Sequence, residues 1–587
     1  MNQALTGSAR PNTRFTTKHL IEIARLFPIF AAGVALNIWC LHNFNTLTWP
    51  YLWPQPGIFV VMAVFVLCMW FPECFSGKWA FRIVGLIMFF IGECYVIHSI
   101  DVLLDSFSVI GLMHAIGVSC TFCVMTLCYI NQLNPRDNRT APPLPEDLPY
   151  VAAVIPTYGE PVEILRETAL SLKNMEYPED RRYIFISDDG HREEVERMAA
   201  EIGVGYNKGA KKDAKAGNLN AALRHIEEVF PKATLILTQD ADEVIDRSFL
   251  QKVIGYFTDP KIAFVQTPKD ATCPPGDPFG VRDRVFYDRI QPGRNGSGAA
   301  FACGSGVVWR IEAVKSIGGF AVWNIVEDLT TSYFIHSAGW KSEYHNEILS
   351  IGLAPDDVPG LLKQRGTWAA DTWRLFLFNN PITRPGLTFR QRMQYTELGL
   401  FYVTSTFFMP MLMLTPLLSL ITGHFIPIQG AALFPWLGAS FLFYVVLSGG
   451  DPEFLKLMWQ YWIGHFATYF KAFRIAIKAR KKKPSYKVTR KTRQAGFYGG
   501  MLWMQFSYLF LGLIAIVRGL FFLPEAALAA RLTNIGILLF FMFMVSGICQ
   551  AALYGVKLPH QKLAAKFKLL FSFDPPSPAP VRATEHS

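Results

Sequence analysis

RYIFISDDG (182–190) and TLILTQDAD (234–242) decide the fold of this chain. Each is a short apolar run that ends on carboxylates, Asp188 and Asp189 in the first, Asp240 and Asp242 in the second. A run of this length and composition predicts a buried strand. In a parallel α/β sheet, ligands bind at the carboxyl ends of the strands, so both acidic pairs fall where a ligand would sit. VAAVIPTY (151–158) reads as the strand that opens the region, with further strands at 183–187, 234–238 and 263–266. Helix-like runs at 162–175, 192–202 and 219–229 alternate with them. That alternation is a βαβ pattern.

Working outward, a third acidic pair, Glu327 and Asp328, follows WNIV (323–326) and precedes a helix-like run. It can cap that helix. Equally, it can supply a general base that takes a proton from an acceptor hydroxyl. A DxD pair such as Asp240 and Asp242 offers hard oxygen ligands to Mg2+ or Mn2+, with donor phosphates completing the shell. Both DAD and DDG are also good turns. Lys215, in KAGN (215–218), reads as a loop lysine suited to phosphate or nucleotide contact. Gln364 and Arg365 of QRGTW (364–368) can hydrogen-bond a diphosphate, and Trp368 can stack on a sugar face.

The flanks are membrane-like. Of the chain, 51% is apolar and 14% aromatic, and the mean hydropathy is positive. Apolar runs lie at roughly 25–43, 57–72, 80–99 and 109–130 before the central stretch, and at roughly 397–421, 431–449, 500–522 and 533–555 after it. Lys and Arg flank alternate ends, and the loops 44–56, 100–108 and 422–430 carry neither. That asymmetry predicts a multi-pass inner-membrane protein with both termini and the central domain in the cytoplasm. The net charge of +10 suits loops facing anionic lipid, and no nucleic-acid partner is expected. The cysteines show no metal-ligand spacing; Cys120 and Cys123 form a CxxC on a membrane helix, where packing is the expectation.

In order, the expected organisation is a cytoplasmic segment 1–24, spans 25–130, a Pro-rich linker 131–149 and a nucleotide-type domain 150–385. An interfacial helix 386–396, spans 397–449, a second interfacial helix 452–480, a basic loop 481–495, spans 500–555 and a cytoplasmic tail 556–587 follow. A further span at 455–478 is the rival reading of the second interfacial helix.

DDG, DAD, VED and QRGTW in this order, with FVQTP (264–268), FACGS (301–305) and PSYKVTRK (484–491), resemble the processive family 2 glycosyltransferases, cellulose synthase catalytic subunits and bacterial β-glucan synthases above all. The likeness spans roughly 20–555. It implies an α/β GT-A (Rossmann-like) cytoplasmic domain inserted in an α-helical membrane domain of about eight transmembrane helices. It also implies that Asp188, Asp189 and Lys215 contact uridine, that Asp240 touches the nucleotide and that Asp242 holds the metal. Asp328 would be the base, supported by Glu327, with Cys303 and Gly304 near the acceptor sugar. Gln364 and Arg365 would hold the diphosphate, Trp368 would stack on the polymer end, and Tyr486, Val488 and Thr489 would close over the donor.

The implied partners are a UDP-sugar, the growing polysaccharide, the bilayer and envelope accessory subunits. Thr367 stands where the motif has Arg, and Asp371 where cellulose synthases often have Gly. Those departures open β-1,3 or mixed linkage beside β-1,4. Neither RxxxR nor DxSxxG follows the last span, so no PilZ domain is expected. Two alternatives stay open: another UDP-sugar giving a chitin- or hyaluronan-like polymer, and a non-processive lipid glycosyltransferase. A transporter or receptor with a decayed transferase domain would have lost metal or base residues, yet Asp240, Asp242 and Asp328 all stand.

Overall fold

The computed structural model describes residues 78–273, 277, 279–480, 483–484, 496–523 and 528–553. The expected spans at 25–43 and 57–72, both terminal segments, and Tyr486, Val488 and Thr489 lie outside the described residues.

The strands are β1 (Val151–Thr157), β2 (Arg182–Asp188), β3 (Gly205–Lys208), β4 (Leu235–Thr238), β5 (Glu243–Ile245), β6 (Ile262–Gln266), β7 (Lys269–Thr272), β8 (Val307–Arg310), β9 (Lys341–Tyr344) and β10 (Ser350–Leu353). Seven of them form one sheet in the order β3-β2-β1-β4-β8-β6-β9. β1 is buried at every residue because helices cover both faces. On one face Leu165, Leu172, Val195 and Met198 pack on Ile155 and Ile186. On the other, Leu219, Ala222 and Ile226 pack with Phe264, Trp309 and Val314. The sheet is mixed: β8 runs antiparallel to β4 and β6. A second sheet, β5-β10-β7, is laid beside the strand ends.

A second difference concerns Lys215. The helix runs Ala214–Val229, so Lys215 occupies its first turn and not a loop. Asp213 before it holds φ +64 and makes no side-chain cap, which explains why the start carries no sequence signature.

Five described helices are long and apolar enough to cross a membrane: Trp79–Asp105, Val109–Asn131, Phe389–Thr422, Gly499–Phe521 and Leu528–Leu553. A shorter apolar helix, Ala432–Leu447, coincides with the expected run at 431–449. The protein is a membrane protein. The basic segment 386–396 does not lie apart as an interfacial helix. Thr388 caps the helix that begins at Phe389 with a capping box, and that helix continues to Thr422. The stretch 455–478 is not one continuous helix. It breaks at His465 into Pro452–Gly464 and Phe466–Lys478. The linker is tied down rather than loose: the Arg136 amide donates to the Pro292 carbonyl, and Asn346 Nδ2 donates to Asp137.

Candidate active site

The strand ends place the acidic groups as the alternation requires. Asp188, the last residue of β2, is fully buried. Its oxygens accept from the Gly190 and Arg192 amides at 2.8 Å, and Arg192 Nε lies 3.3 Å away. Asp188 therefore shapes the turn, while Asp189 lines the cavity beyond it and accepts from the Lys211 amide. Burial pushes the Asp189 carboxyl above its ordinary range. Asn218 donates to the Thr157 and Ser187 carbonyls, holding the ends of β1 and β2 together.

After β4, Asp240 enters a chain of alternating charge. Lys215 Nζ sits 2.6 Å from Asp240 Oδ1, 3.2 Å from Glu327 Oε1 and 2.8 Å from the Gly304 carbonyl. Lys269 Nζ sits 3.0 Å from Glu243 Oε1 and 3.9 Å from Asp240 Oδ2. Burial works to lower both lysines, but the carboxylates around them outweigh it and hold them above their ordinary range. Lys269 directly follows FVQTP (264–268) but is not among the expected site residues.

Glu327 and Asp328 open the helix Glu327–Ser337. Asp328 Oδ1 accepts from the Leu329 amide at 2.6 Å. Burial, then the neighbouring Glu327 charge, push the Asp328 carboxyl up to about 7. A carboxylate held above its ordinary range is, once ionised, a stronger base for taking a proton from a hydroxyl. Gly304 approaches it closely. A Cβ there would lie 3.0 Å from Asp328 Oδ2, and the backbone holds φ +87, so glycine fits on both counts. Cys303 is half-buried beside it; its amide donates to Gln266, and burial pushes the thiol up to about 12.

Gln364, Arg365, Thr367 and Trp368 lie on the helix Val358–Phe378 and line the same cavity. Arg365 is engaged: Nη1 lies 2.8 Å from Asp283, Nη2 donates to the Gly280 carbonyl, and the guanidinium sits 4.8 Å over the Trp368 ring. Thr367 turns inward to the Lys363 carbonyl. Asp371, two turns from Gln364, is buried and accepts from the Val326 amide at 2.6 Å. Arg374 donates to Asn324 and to the Trp323 carbonyl. The helix of the QRGTW motif is thus stapled to the loop that presents Glu327 and Asp328.

Asp189, Asp240, Asp242, Asp328 and Trp368 all line one cavity of about 2310 Å³. Its wall continues into the membrane helices through Trp436, Tyr444, Trp462, Leu532 and Phe540. Ile548 and Cys549, near the end of Leu528–Leu553, pack on Val358 and Leu361 of the catalytic domain. Leu532 lies 16 residues before Ile548, roughly 24 Å along the helix, so the cavity reaches far from the acidic site.

Among the described residues no group of three or more His, Cys, Asp and Glu side chains gathers as a metal site. Glu327 and Asp328 line the cavity as well, but Asp240 and Asp242 are the DxD pair that follows β4 and offer two carboxylates on its wall. That set fits a hard cation whose remaining ligands come from phosphate oxygens.

A mixed sheet of this order, with a DxD pair after its central strand and carboxylates at the start of a later helix, defines a GT-A glycosyltransferase domain. The chain carries a family 2 glycosyltransferase domain: residues 149–370 match the family model described as "Glycosyltransferase like family 2", and residues 315–459 match "Cellulose synthase". The cellulose synthase catalytic subunit [UDP-forming] of Komagataeibacter sucrofermentans is 34% identical over 317 residues, 51% of this chain and 40% of that one. The corresponding subunit of Xanthomonas axonopodis pv. citri is 33% identical over 289 residues, 47% of this chain and 38% of that one. "Putative cellulose synthase 2" of Komagataeibacter xylinus is 35% identical over 291 residues, 47% of this chain and 19% of that one. The match thus covers less than half the length of each of these relatives.

Proposed function

We propose that the protein is a processive, inverting glycosyltransferase that polymerises glucose from UDP-glucose into a β-glucan and threads the product through its own membrane helices. The observation that carries this reading is the single cavity shared by Asp242, Asp328, Trp368 and the aromatic side chains of the membrane helices. A transferase acting once on a small acceptor has no need of a lined path reaching that far.

In this reading Asp189 and Lys215 bind the nucleotide, and Asp240 and Asp242 would hold a divalent cation, Mg2+ or Mn2+, that neutralises the leaving diphosphate. Asp328 takes the proton from the acceptor hydroxyl, and the hydroxyl oxygen attacks the anomeric carbon as the bond to the diphosphate breaks. Glu327, paired to Lys215, keeps that lysine beside Asp240. Arg365 grips the diphosphate after exchanging Asp283 for it, and Trp368 stacks on the acceptor sugar. Tyr486, Val488 and Thr489 close over the donor. Asp188 is a positioning residue for the Asp189 turn.

The basic flanks of the spans support an inner-membrane location with the catalytic domain in the cytoplasm. The candidate linkages are β-1,3, β-1,4 and mixed. A segregated set of radiolabelled UDP-sugars offered to the purified protein, followed by linkage-specific glucanases, tests the proposal. Polymer from UDP-glucose that one glucanase dissolves supports it. Polymer formed only from UDP-N-acetylglucosamine would replace the donor, and single-sugar transfer to lipid would overturn processive synthesis.

A further inference from the structure

Lys269 opens β7 of the small sheet β5-β10-β7, and its side chain lines the cavity. A buried relay holds it there. Glu243, on β5, is 5% exposed, and a carboxylate so buried needs partners. Its Oε1 lies 3.0 Å from Lys269 Nζ, and its Oε2 accepts from Ser350 Oγ at 3.1 Å. Gln239 Nε2 in turn donates to Ser350 Oγ at 3.0 Å and to the Glu243 carbonyl at 3.2 Å. Gly352, opposite Glu243 in β10, leaves the room: a Cβ there would collide with the Glu243 side chain. The Leu353 amide donates to the Asp242 carbonyl, so the strand that packs on Glu243 also ties down the DxD turn.

The two lysines beside Asp240 differ in what they have left to give. An ammonium carries three N–H donors and no acceptor. Lys215 directs all three inward, at Asp240, Glu327 and the Gly304 carbonyl. Lys269 spends one, on Glu243; its approach to Asp240 Oδ2, at 3.9 Å, is too long for a hydrogen bond. Among the described residues no other acceptor meets it. The remaining donors of this anchored cation are therefore left for what the cavity holds, and the side chain is 24% accessible there.

We propose that Lys269 binds the β-phosphate of the nucleoside diphosphate donor directly, with Glu243 as its positioning residue. This inference rests on the reading of the chain as a UDP-sugar transferase. An ammonium with donors to spare suits an anion better than a neutral sugar, which needs acceptors as well. Its approach to Asp240 puts it beside the two carboxylates that would hold the cation, where the diphosphate lies in that reading. A charge-assisted hydrogen bond at that point stabilises the phosphate oxygens as the sugar leaves. A lysine stem is flexible, and the buried Glu243 fixes its end.

The test measures UDP and UMP affinity by isothermal titration on full-length protein in lipid nanodiscs, in Mg2+ and again in EDTA. Lys269→Met alone would strand the buried Glu243 charge, so Lys269→Met/Glu243→Gln removes both charges together, and Glu243→Gln alone loosens the lysine. Loss of one charge-assisted hydrogen bond should weaken UDP about tenfold or more in the double variant, in Mg2+ and in EDTA alike, with UMP held within about twofold. Glu243→Gln should weaken UDP by less and leave UMP unmoved; a match to the parent would overturn its positioning role. Unchanged UDP affinity in the double variant would overturn the proposal. So would an equal loss of UDP and UMP, which marks a packing role, or a loss that vanishes in EDTA, which places the effect at the cation. A parent that binds neither nucleotide would bring down the transferase reading, and this inference with it. A parent that prefers UDP, with a double variant that keeps the preference, would bring down this inference alone.

Discussion

Asp328 concentrates the chemistry. Its carboxyl is pushed up to about 7 by burial and by Glu327, so the ionised, proton-accepting form is lost as the pH drops below 7. Transfer should therefore rise with pH to a plateau and fall off on the acid side at a higher pH than an ordinary carboxylate base would give. A pH–rate profile flat from 6 to 8 would remove Asp328 from that role. Asp328→Asn should lower transfer by about 10²- to 10⁴-fold while UDP affinity holds, as isothermal titration would report. Asp242→Ala, or EDTA, should abolish transfer; full turnover in EDTA would count against the two-carboxylate cation site. The acidic groups could be read from the sequence because each ends a strand or starts a helix. Lys269 could not, because nothing in FVQTPKD (264–270) shows that this lysine meets Glu243 and Asp240, 26 and 29 residues earlier. Nor was the occupation of Arg365 by Asp283 visible, since 82 residues separate them.

Two elements, the helix Val358–Phe378 and the loop before Glu327, act as one unit through Asp371. The Asp371 carboxylate accepts from the Val326 amide, and Asn324 Nδ2 donates to the Asp371 carbonyl. The helix that presents Gln364 and Trp368 thereby sets the position of Asp328. Asp371→Ala should misplace the base and lower transfer by about 10- to 100-fold. Asp371→Asn keeps an acceptor oxygen and should retain most of the rate, with UDP affinity unchanged in both; equal rates for Ala and parent would detach the two elements. β1, β2, β4 and β6 and several domain helices were legible as alternating runs, whereas the other six strands, three or four residues each, were not. The direction of β8 was not, because a fully buried strand reads the same whichever way it runs. The first turn of Ala214–Val229 was missed because Asp213 and Ala214 hold positive φ and no cap marks the entry.

At the scale of the molecule, the acidic site and the membrane helices share a wall. Composition made the spans at 80–99, 109–130, 397–421, 500–522 and 533–555 readable, and long apolar helices occupy each of them. The break at His465 was not readable, since aromatic residues continue on both sides of it. That break lets Pro452–Gly464 pack among the membrane helices while Phe466–Lys478 lies along the QRGTW helix. The most direct measurement uses proteoliposomes sorted for outward-facing catalytic domains and fed radiolabelled UDP-glucose. The account predicts labelled polymer that resists added glucanase until detergent opens the vesicles. Polymer digested without detergent, or label confined to a singly glycosylated lipid, would contradict it.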